Sequence, residues 1–298
     1  MSKVIIDKAR NYKIGSYKRV VDHIEAIQYA LGVGCNSDPM DQRDLQFTYE
    51  NSKNFNIIQS YSSIFSVYGL DIIRKCPGLP DYHPMALVHA GQVIKPVYPI
   101  TIGETVTASN KIIDVEDKRS GALVSIESSI HKEDGTLAAQ NIATLFIRGI
   151  GGFKSEQDPE PITPAMNFPN PISKNPIEEI TLPTAENQAH LYRVASLDLN
   201  PLHIDPEESK KGGFERPILH GLCTLGYSTR AYQTVFDHHN FAEIGVRFTA
   251  PTVPGQSLHV QFFDTDNENQ TAFSTIAFDQ DKSVSEGVIV AKGWLEKK

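Results

Sequence analysis

Two periodicities run through the hydrophobic positions of the chain. Val20, Ile24, Ile27 and Leu31 recur every three or four residues, which predicts a helix over residues 20–31. Leu222, Leu225, Thr229, Tyr232 and Phe236 repeat that spacing and predict a longer helix over 219–236, with this stripe packed against the core. Residues 186–195 read as a third helix. Elsewhere the character is extended. Residues 123–130 (LVSIESSI), 137–147, 257–264 and 284–295 read as strands, and 93–106 mixes β-branched residues with prolines, as strands joined by turns do.

Prolines divide this pattern. Of the 18 in the chain, seven fall between Gly151 and Ala185: Pro159, Pro161, Pro164, Pro169, Pro171, Pro176 and Pro183. Proline cannot donate to a ladder and breaks helix interiors, so the stretch reads as an extended connector. The expected organisation is a first domain over 1–150, a connector over 151–185 and a second domain over 186–298. The two parts resemble diverged copies of one α+β unit. Tyr29 opens YALGVGC as Tyr192 opens YRVASLD, Leu87-Val88-His89-Ala90-Gly91 resembles Ile218-Leu219-His220-Gly221-Leu222, and Ile102-Gly103-Glu104-Thr105-Val106 resembles Pro254-Gly255-Gln256-Ser257-Leu258. The copies differ in polar content. Asp198, Asn200 and His203 follow the second tyrosine, whereas the place of Asp198 in the first copy falls near Cys35 and no histidine follows nearby.

Composition narrows the function classes. A chain of 298 residues, 40% hydrophobic and 21% charged, is ordinary globular stock with room for two domains. Its net charge of −8, with no basic cluster larger than the Lys210-Lys211 pair, argues against nucleic acid as a partner. No apolar run approaches the ~18 residues of a membrane span. The apolar stretch near the start, Val4-Ile5-Ile6, falls far short of the ~7–15 residues of a signal-peptide core. Cys35, Cys76 and Cys223 are odd in number and widely spaced, which fits a reducing compartment rather than a disulfide framework or a zinc site.

The densest chemistry lies in Ser196-Leu197-Asp198-Leu199-Asn200-Pro201-Leu202-His203. Asn200-Pro201 favours a turn that can bring the carboxylate and the imidazole towards one point. Such a pair can hold and activate one water, with the Asn200 amide orienting it. The same residues also admit plainer roles, Asp198 as a cap and His203 as a packed histidine. Ser196 has no flanking elbow glycines to make it a nucleophile, and no second ligand cluster points to a metal. Downstream, Gly212-Gly213 and Pro217 precede a helix start near His220-Gly221. There, free backbone N–H groups suit a polarised carbonyl, and Gly221 permits close backbone approach.

Taken together, Tyr192, Ser196 to His203 and Pro217-Ile218-Leu219-His220-Gly221 resemble the signature of the MaoC-like dehydratases, most closely the two-domain R-specific (type 2) enoyl-CoA hydratases. Tyr29 to Gly34 and Leu87 to Gln92 are similar to that family's first domain. Leu197 stands where the family carries Gly, and Ala90 where Gly is common. The resemblance implies a double hot-dog fold, each antiparallel sheet wrapped around a helix. The helix of the second unit is expected at 220–236. The first unit lacks an equally good helix after His89, where Pro96 and Pro99 interrupt it, and the resemblance gives that unit to the acyl chain. The implied reaction is reversible hydration of trans-2-enoyl-CoA to (3R)-3-hydroxyacyl-CoA in fatty acid β-oxidation, without cofactor or metal. Asp198, Asn200 and His203 are the expected catalytic groups, with the Gly221 backbone holding the thioester carbonyl. His89, Ala90, Lys118, Lys210, Lys211, Arg247 and Phe248 are the expected substrate and CoA contacts. A homodimer is implied, with neither membrane nor nucleic acid as partner. So is a peroxisomal location in a eukaryotic host and a cytoplasmic one otherwise, although the final Glu296-Lys297-Lys298 does not match Ser-Lys-Leu. The alternatives are a dehydratase for a specialised acyl thioester, a hot-dog thioesterase and, in a different class, an acyl-CoA binder without catalysis.

Overall fold

The structure, a computed structural model, describes residues 3–66, 73–155, 159–162, 166, 168–236 and 240–298. Ten strands form one antiparallel sheet: β1 (Lys13–Val20), β2 (Leu87–Pro96), β3 (Thr105–Asp117), β4 (Gly121–Lys132), β5 (Leu137–Arg148), β6 (Glu178–Pro183), β7 (Phe241–Phe248), β8 (Gln256–Asp264), β9 (Gln270–Asp279) and β10 (Val288–Lys297). Their order is β1-β3-β4-β5-β2-β7-β10-β9-β8-β6. The order is a mirror about the β2–β7 seam, so each half is the same five-stranded unit. At the seam Gly91 lies opposite Arg247 and Ile94 opposite Ile244. Helices named among the described residues are α1 (Ile6–Ala9), α2 (His23–Gly32), α3 (Leu45–Thr48), α4 (Gln188–Ser196), α5 (Pro206–Lys211) and α6 (Gly221–Val235).

Helix α6 runs through the core. Residues 222–233 are buried on every side, so the expected apolar stripe is one face of a wholly enclosed helix. His220 and Phe236 are its caps. Helix α2 is shorter than the 20–31 expectation, and its buried face is different. Val20 ends β1, while Ile24 and Leu31 are exposed; Ala26, Tyr29 and Ala30 are the residues turned inward. Helices α2 and α4 pack together across the two units. Tyr29 and Tyr192 are fully buried with ring centroids 6.0 Å apart, and an added Cβ on Gly32 would lie 3.1 Å from the Cα of Tyr192. Ser196, like Tyr192, is buried on α4, and the chain leaves this helix through Leu197 at φ +57°, the left-handed C-terminal position usually given to glycine.

The repeat is real, but one of its landmarks is misplaced. His89 lies inside strand β2, whereas His220 caps a helix, so the two are not counterparts. The unbroken correspondence instead joins 93–106 to 245–258, an offset of 152 residues that pairs Pro99 with Pro251. It also pairs the turn glycines Gly103 (φ +85°) and Gly255 (φ +92°). Nor does the chain reach for a helix after His89. Ahead of β2 the described residues hold a buried 3-10 run, Gln59–Ser66, where β7 is preceded by the 15 residues of α6. The connector is likewise not all connector. Glu178–Pro183 is edge strand β6 on β8, and Pro171 bridges Thr265. An edge strand tolerates its proline because the outer side of the ladder is unpaired. Pro164 lies outside the described residues.

Polar contacts tie the units together. Asp44 meets the Arg230 guanidinium of α6 at 2.5 and 3.1 Å with both side chains buried. Gln59 exchanges hydrogen bonds with the backbone of Phe241, and Gln188 donates to the Gly32 carbonyl at 2.7 Å. No helix among the described residues is long and apolar enough to cross a membrane. The three cysteines are free and buried.

Candidate active site

Each site group is set by a short local device. The Leu197 turn delivers Asp198 just past α4. Its amide donates to Ser196 Oγ at 3.2 Å, and its Oδ1 accepts the Asn200 amide at 3.2 Å. Asn200 caps the 3-10 turn Pro201–His203 by accepting the Leu202 N–H on Oδ1 at 3.1 Å. That use leaves the Asn200 NH₂ group for a ligand, a donor only. The turn points His203 back towards Asp198. Its Nδ1 lies 2.8 Å from the Ile218 carbonyl, and since a carbonyl only accepts, Nδ1 carries the proton and Nε2 carries the lone pair. Burial holds the His203 pKa below its ordinary value, opposed by the charge of Asp198 and the Ile218 bond.

His220 stacks on His203 with centroids 3.7 Å apart and is 1% exposed. Neither of its ring nitrogens has a well-formed hydrogen bond, although the Asp198 backbone is near enough to favour the charged ring. Burial, with His203 beside it, drives its pKa well down. Gly221 follows as the first residue of α6, where an N–H has no acceptor within the helix. The Phe248 ring closes over it, only 3.0 Å from where a Cβ would stand.

These groups open onto a cavity of about 1370 Å³, above the ~300–1,000 Å³ of ordinary ligand sites. Both units line it. The first unit contributes residues of β2, β4 and β5, among them His89, Ala90, Leu123 and Ile142, and the segment after β5 adds Ile162, Met166 and Phe168. His89 is aimed by a bulge in β2 between His89 and Gly91. Its Nε2 lies 3.0 Å from the Gly91 carbonyl and 3.1 Å from Gln92 Oε1, and its ring stands edge-on to Phe248. Burial lowers its pKa too, against the pull of Asp198.

The structure thus brings Asp198, Asn200, His203, Gly221, His89, Ala90, Lys118, Arg247 and Phe248 to one cavity. Lys210 and Lys211 are not among its lining residues; on α5 they pair with Glu207 and Glu208, one helical turn earlier. The sequence reading missed Arg148, which ends β5 at the cavity with exposed Lys118 and Arg247, and it missed His220 as a site group. It also missed Trp294, which lines the wall, donates to Glu243 at 3.3 Å and packs edge-on against Phe168.

A mirrored ten-stranded sheet packed around the enclosed helix α6 defines a double hot-dog protein. Residues 20–149 match the MFE-2 hydratase 2 N-terminal domain and residues 167–288 match the MaoC-like domain. The probable enoyl-CoA hydratase 2 of Dictyostelium discoideum is 35% identical over 268 residues, covering 87% of each chain. The peroxisomal multifunctional enzyme type 2 of Drosophila melanogaster is 35% identical over 277 residues; the match takes in 89% of this chain and 44% of that protein. The chain therefore spans under half the length of that multifunctional relative. The full-length structure of the same fly enzyme superposes with a TM-score of 0.77 at 31% identity, over 95% of this chain and 48% of that one. A MaoC-like dehydratase from Phytophthora capsici superposes with a TM-score of 0.80 at 26% identity, over 98% of each chain. The chain belongs to the MaoC-like dehydratase family, in its two-unit form with an MFE-2 hydratase 2 first unit.

Proposed function

We propose that the protein catalyses the reversible hydration of trans-2-enoyl-CoA to (3R)-3-hydroxyacyl-CoA in fatty acid β-oxidation. The carrying observation is the meeting of Asp198, the Asn200 NH₂ group, the unprotonated Nε2 of His203 and the free N–H of Gly221 at one end of a cavity sized for an acyl chain. Hydration breaks the C2–C3 π bond and one O–H bond of water, and forms a C3–O and a C2–H bond. Asp198 and His203 Nε2 hold the water, the Asn200 amide fixes its orientation, and the proton taken from it is returned to C2. The thioester oxygen gains charge as C3 is attacked, and the Gly221 N–H at the helix start stabilises it there. Lys118, Arg148 and Arg247 at the cavity meet the CoA phosphates.

A division of labour between the units is part of this reading. The first unit, 1–150, holds the acyl chain, and the reacting groups come from 186–298 with 151–185 between them. A homodimer is supported by the exposed apolar residues Leu191, Val194, Leu197 and Leu199 beside the site. Size-exclusion chromatography with light scattering tests it. A peroxisomal location in a eukaryotic host is supported by the relatives named peroxisomal.

The deciding experiment incubates the protein with crotonyl-CoA and trans-2-decenoyl-CoA, follows loss of enoyl absorbance and determines product chirality. The expected product is the 3R alcohol with no free thiol. Release of CoA would mean a thioesterase, and binding without turnover would mean a non-catalytic acyl-CoA protein. Asp198→Asn and His203→Gln should each lower kcat by ~10²–10⁴-fold, and together by little more than the worse single change. Retained turnover in either folded variant would refute these roles.

A further inference from the structure

We infer that His220 is a positioning residue for the reaction. Its neutral ring lies against His203, fixes the plane from which Nε2 meets the reacting water, and steadies the imidazolium formed when that nitrogen takes the water's proton. This role presupposes the hydratase reading above. The two rings are stacked, with centroids 3.7 Å apart and planes inclined by 29°.

One short segment grips His203 at two points. Its Nδ1 donates to the Ile218 carbonyl at 2.8 Å, and its face lies on His220, two residues further on. A single hydrogen bond fixes one ring atom and leaves the ring free to swing about it. Nδ1 and Nε2 of an imidazole are about 2.2 Å apart, so a swing of about 30° carries Nε2 roughly 1 Å, and a misplacement of that size costs ~10²-fold in rate. The stack removes the swing. His220 has no room to give way. It is 1% exposed, faces the Asp198 backbone and meets the fully buried Tyr192 ring at 5.1 Å. It is also the cap of α6, bonded through one peptide to Gly221. One side chain thereby sets the base and the N–H that holds the thioester oxygen relative to each other.

Ionisation obeys the same division. Asp198, His89 and His220 face His203, and Asp198, Arg193, Tyr192 and His203 face His220. Burial depresses both pKa values. His220 also feels the charges of His203 and Arg193, whereas His203 has the Asp198 carboxylate in its support. The pair therefore takes up one proton, on His203, and His220 stays neutral. The face of a neutral aromatic ring attracts a cation, so His220 stabilises the His203 imidazolium. The proton passes from water to Nε2 and on to C2; none passes to His220.

The test compares His220→Phe, which keeps an aromatic face, with His220→Leu, which does not. For crotonyl-CoA, kcat should fall ~10²-fold in His220→Leu with KM within about three-fold, and less than about ten-fold in His220→Phe. The His203 pKa, read without substrate by NMR of protein carrying ¹⁵N-labelled imidazoles, should lie about 0.5 lower in His220→Leu than in His220→Phe. The acid limb of kcat/KM should move with it. In the wild type the same spectra should show His203 taking a proton at Nε2 while His220 stays neutral, over about pH 8 to 6. That measurement stands even where His220→Leu fails to fold. A kcat for His220→Leu within about three-fold of wild type, equal losses in the two variants, or a loss in KM alone would overturn this role. So would a proton on His220 ahead of His203. A wild type with this order of protonation that hydrates nothing would refute the hydratase reading alone.

Discussion

Replacing Asp44 by Ala tests what holds the two units together. Asp44 Oδ2 accepts from Arg230 Nε at 3.1 Å, from Arg230 Nη2 at 2.5 Å and from the Asn36 backbone N–H at 2.9 Å. The two side chains are 2% and 5% exposed, so water cannot replace the lost carboxylate. Removing one member of a buried pair leaves the other charge uncompensated and costs about 3–5 kcal/mol. For a chain of this size, at about 2 °C per kcal/mol, Tm should fall by about 6–10 °C. Arg230→Met alone should also destabilise, since it strands the Asp44 charge. The double change should recover much of the loss, because a buried pair replaced by apolar groups is often neutral. Differential scanning calorimetry supplies the three Tm values and the shape of each transition. The contact joins the first unit to helix α6, so the wild type should melt in one step and Asp44→Ala should broaden or split it. A fall under about 2 °C, or a double variant whose loss equals the sum of the singles, would refute a coupled buried pair.

Three further outcomes follow from the structure. Burial depresses the His89, His203 and His220 pKa values, so the unfolded chain takes up these protons first as pH falls. Stability should be full above the ordinary histidine value of ~6.5 and decline between pH ~6.5 and 5; a constant or rising Tm across that interval would contradict it. Leu197→Gly relieves a left-handed residue that is 57% exposed, and should raise Tm by about 1–2 °C by circular dichroism, with a decrease counting against strain there. Ile142→Phe narrows the first-unit wall and should lower kcat/KM for trans-2-decenoyl-CoA about ten-fold more than for crotonyl-CoA, whereas equal losses would place the acyl chain elsewhere.

What the sequence makes legible is local. Helix α6, strands β4, β5 and β8 and the Asp198-Asn200-His203 turn each carry their own period or turn residues within a few positions. Strands β6 and β7 do not. The first is a polar edge strand in a proline-rich stretch, and the second is interrupted by Gly245, whose missing side chain is filled by the Trp294 ring from β10. His89 and His220 sit in similar four-residue strings, and only the pairing of β2 with β5 and β7 separates strand from helix cap. Lys210 and Lys211 look like free cations until Glu207 and Glu208 are seen one turn away. His220 was hidden for a related reason. Its neighbour His203 is 17 positions earlier in sequence but 3.7 Å away in space.

The seam between β2 and β7 has a consequence for inheritance. Where two identical chains join such a sheet edge to edge, every substitution appears twice, and a change that enlarges one half must be tolerated in the other. Here the covalent link uncouples them. Among the described residues the first half holds the Gln59–Ser66 run ahead of β2 and no counterpart of His203, while the second holds the 15-residue α6 ahead of β7. Each half can then drift under its own selection, bound to the other through the shared sheet, the α2–α4 contact and the buried Asp44–Arg230 pair.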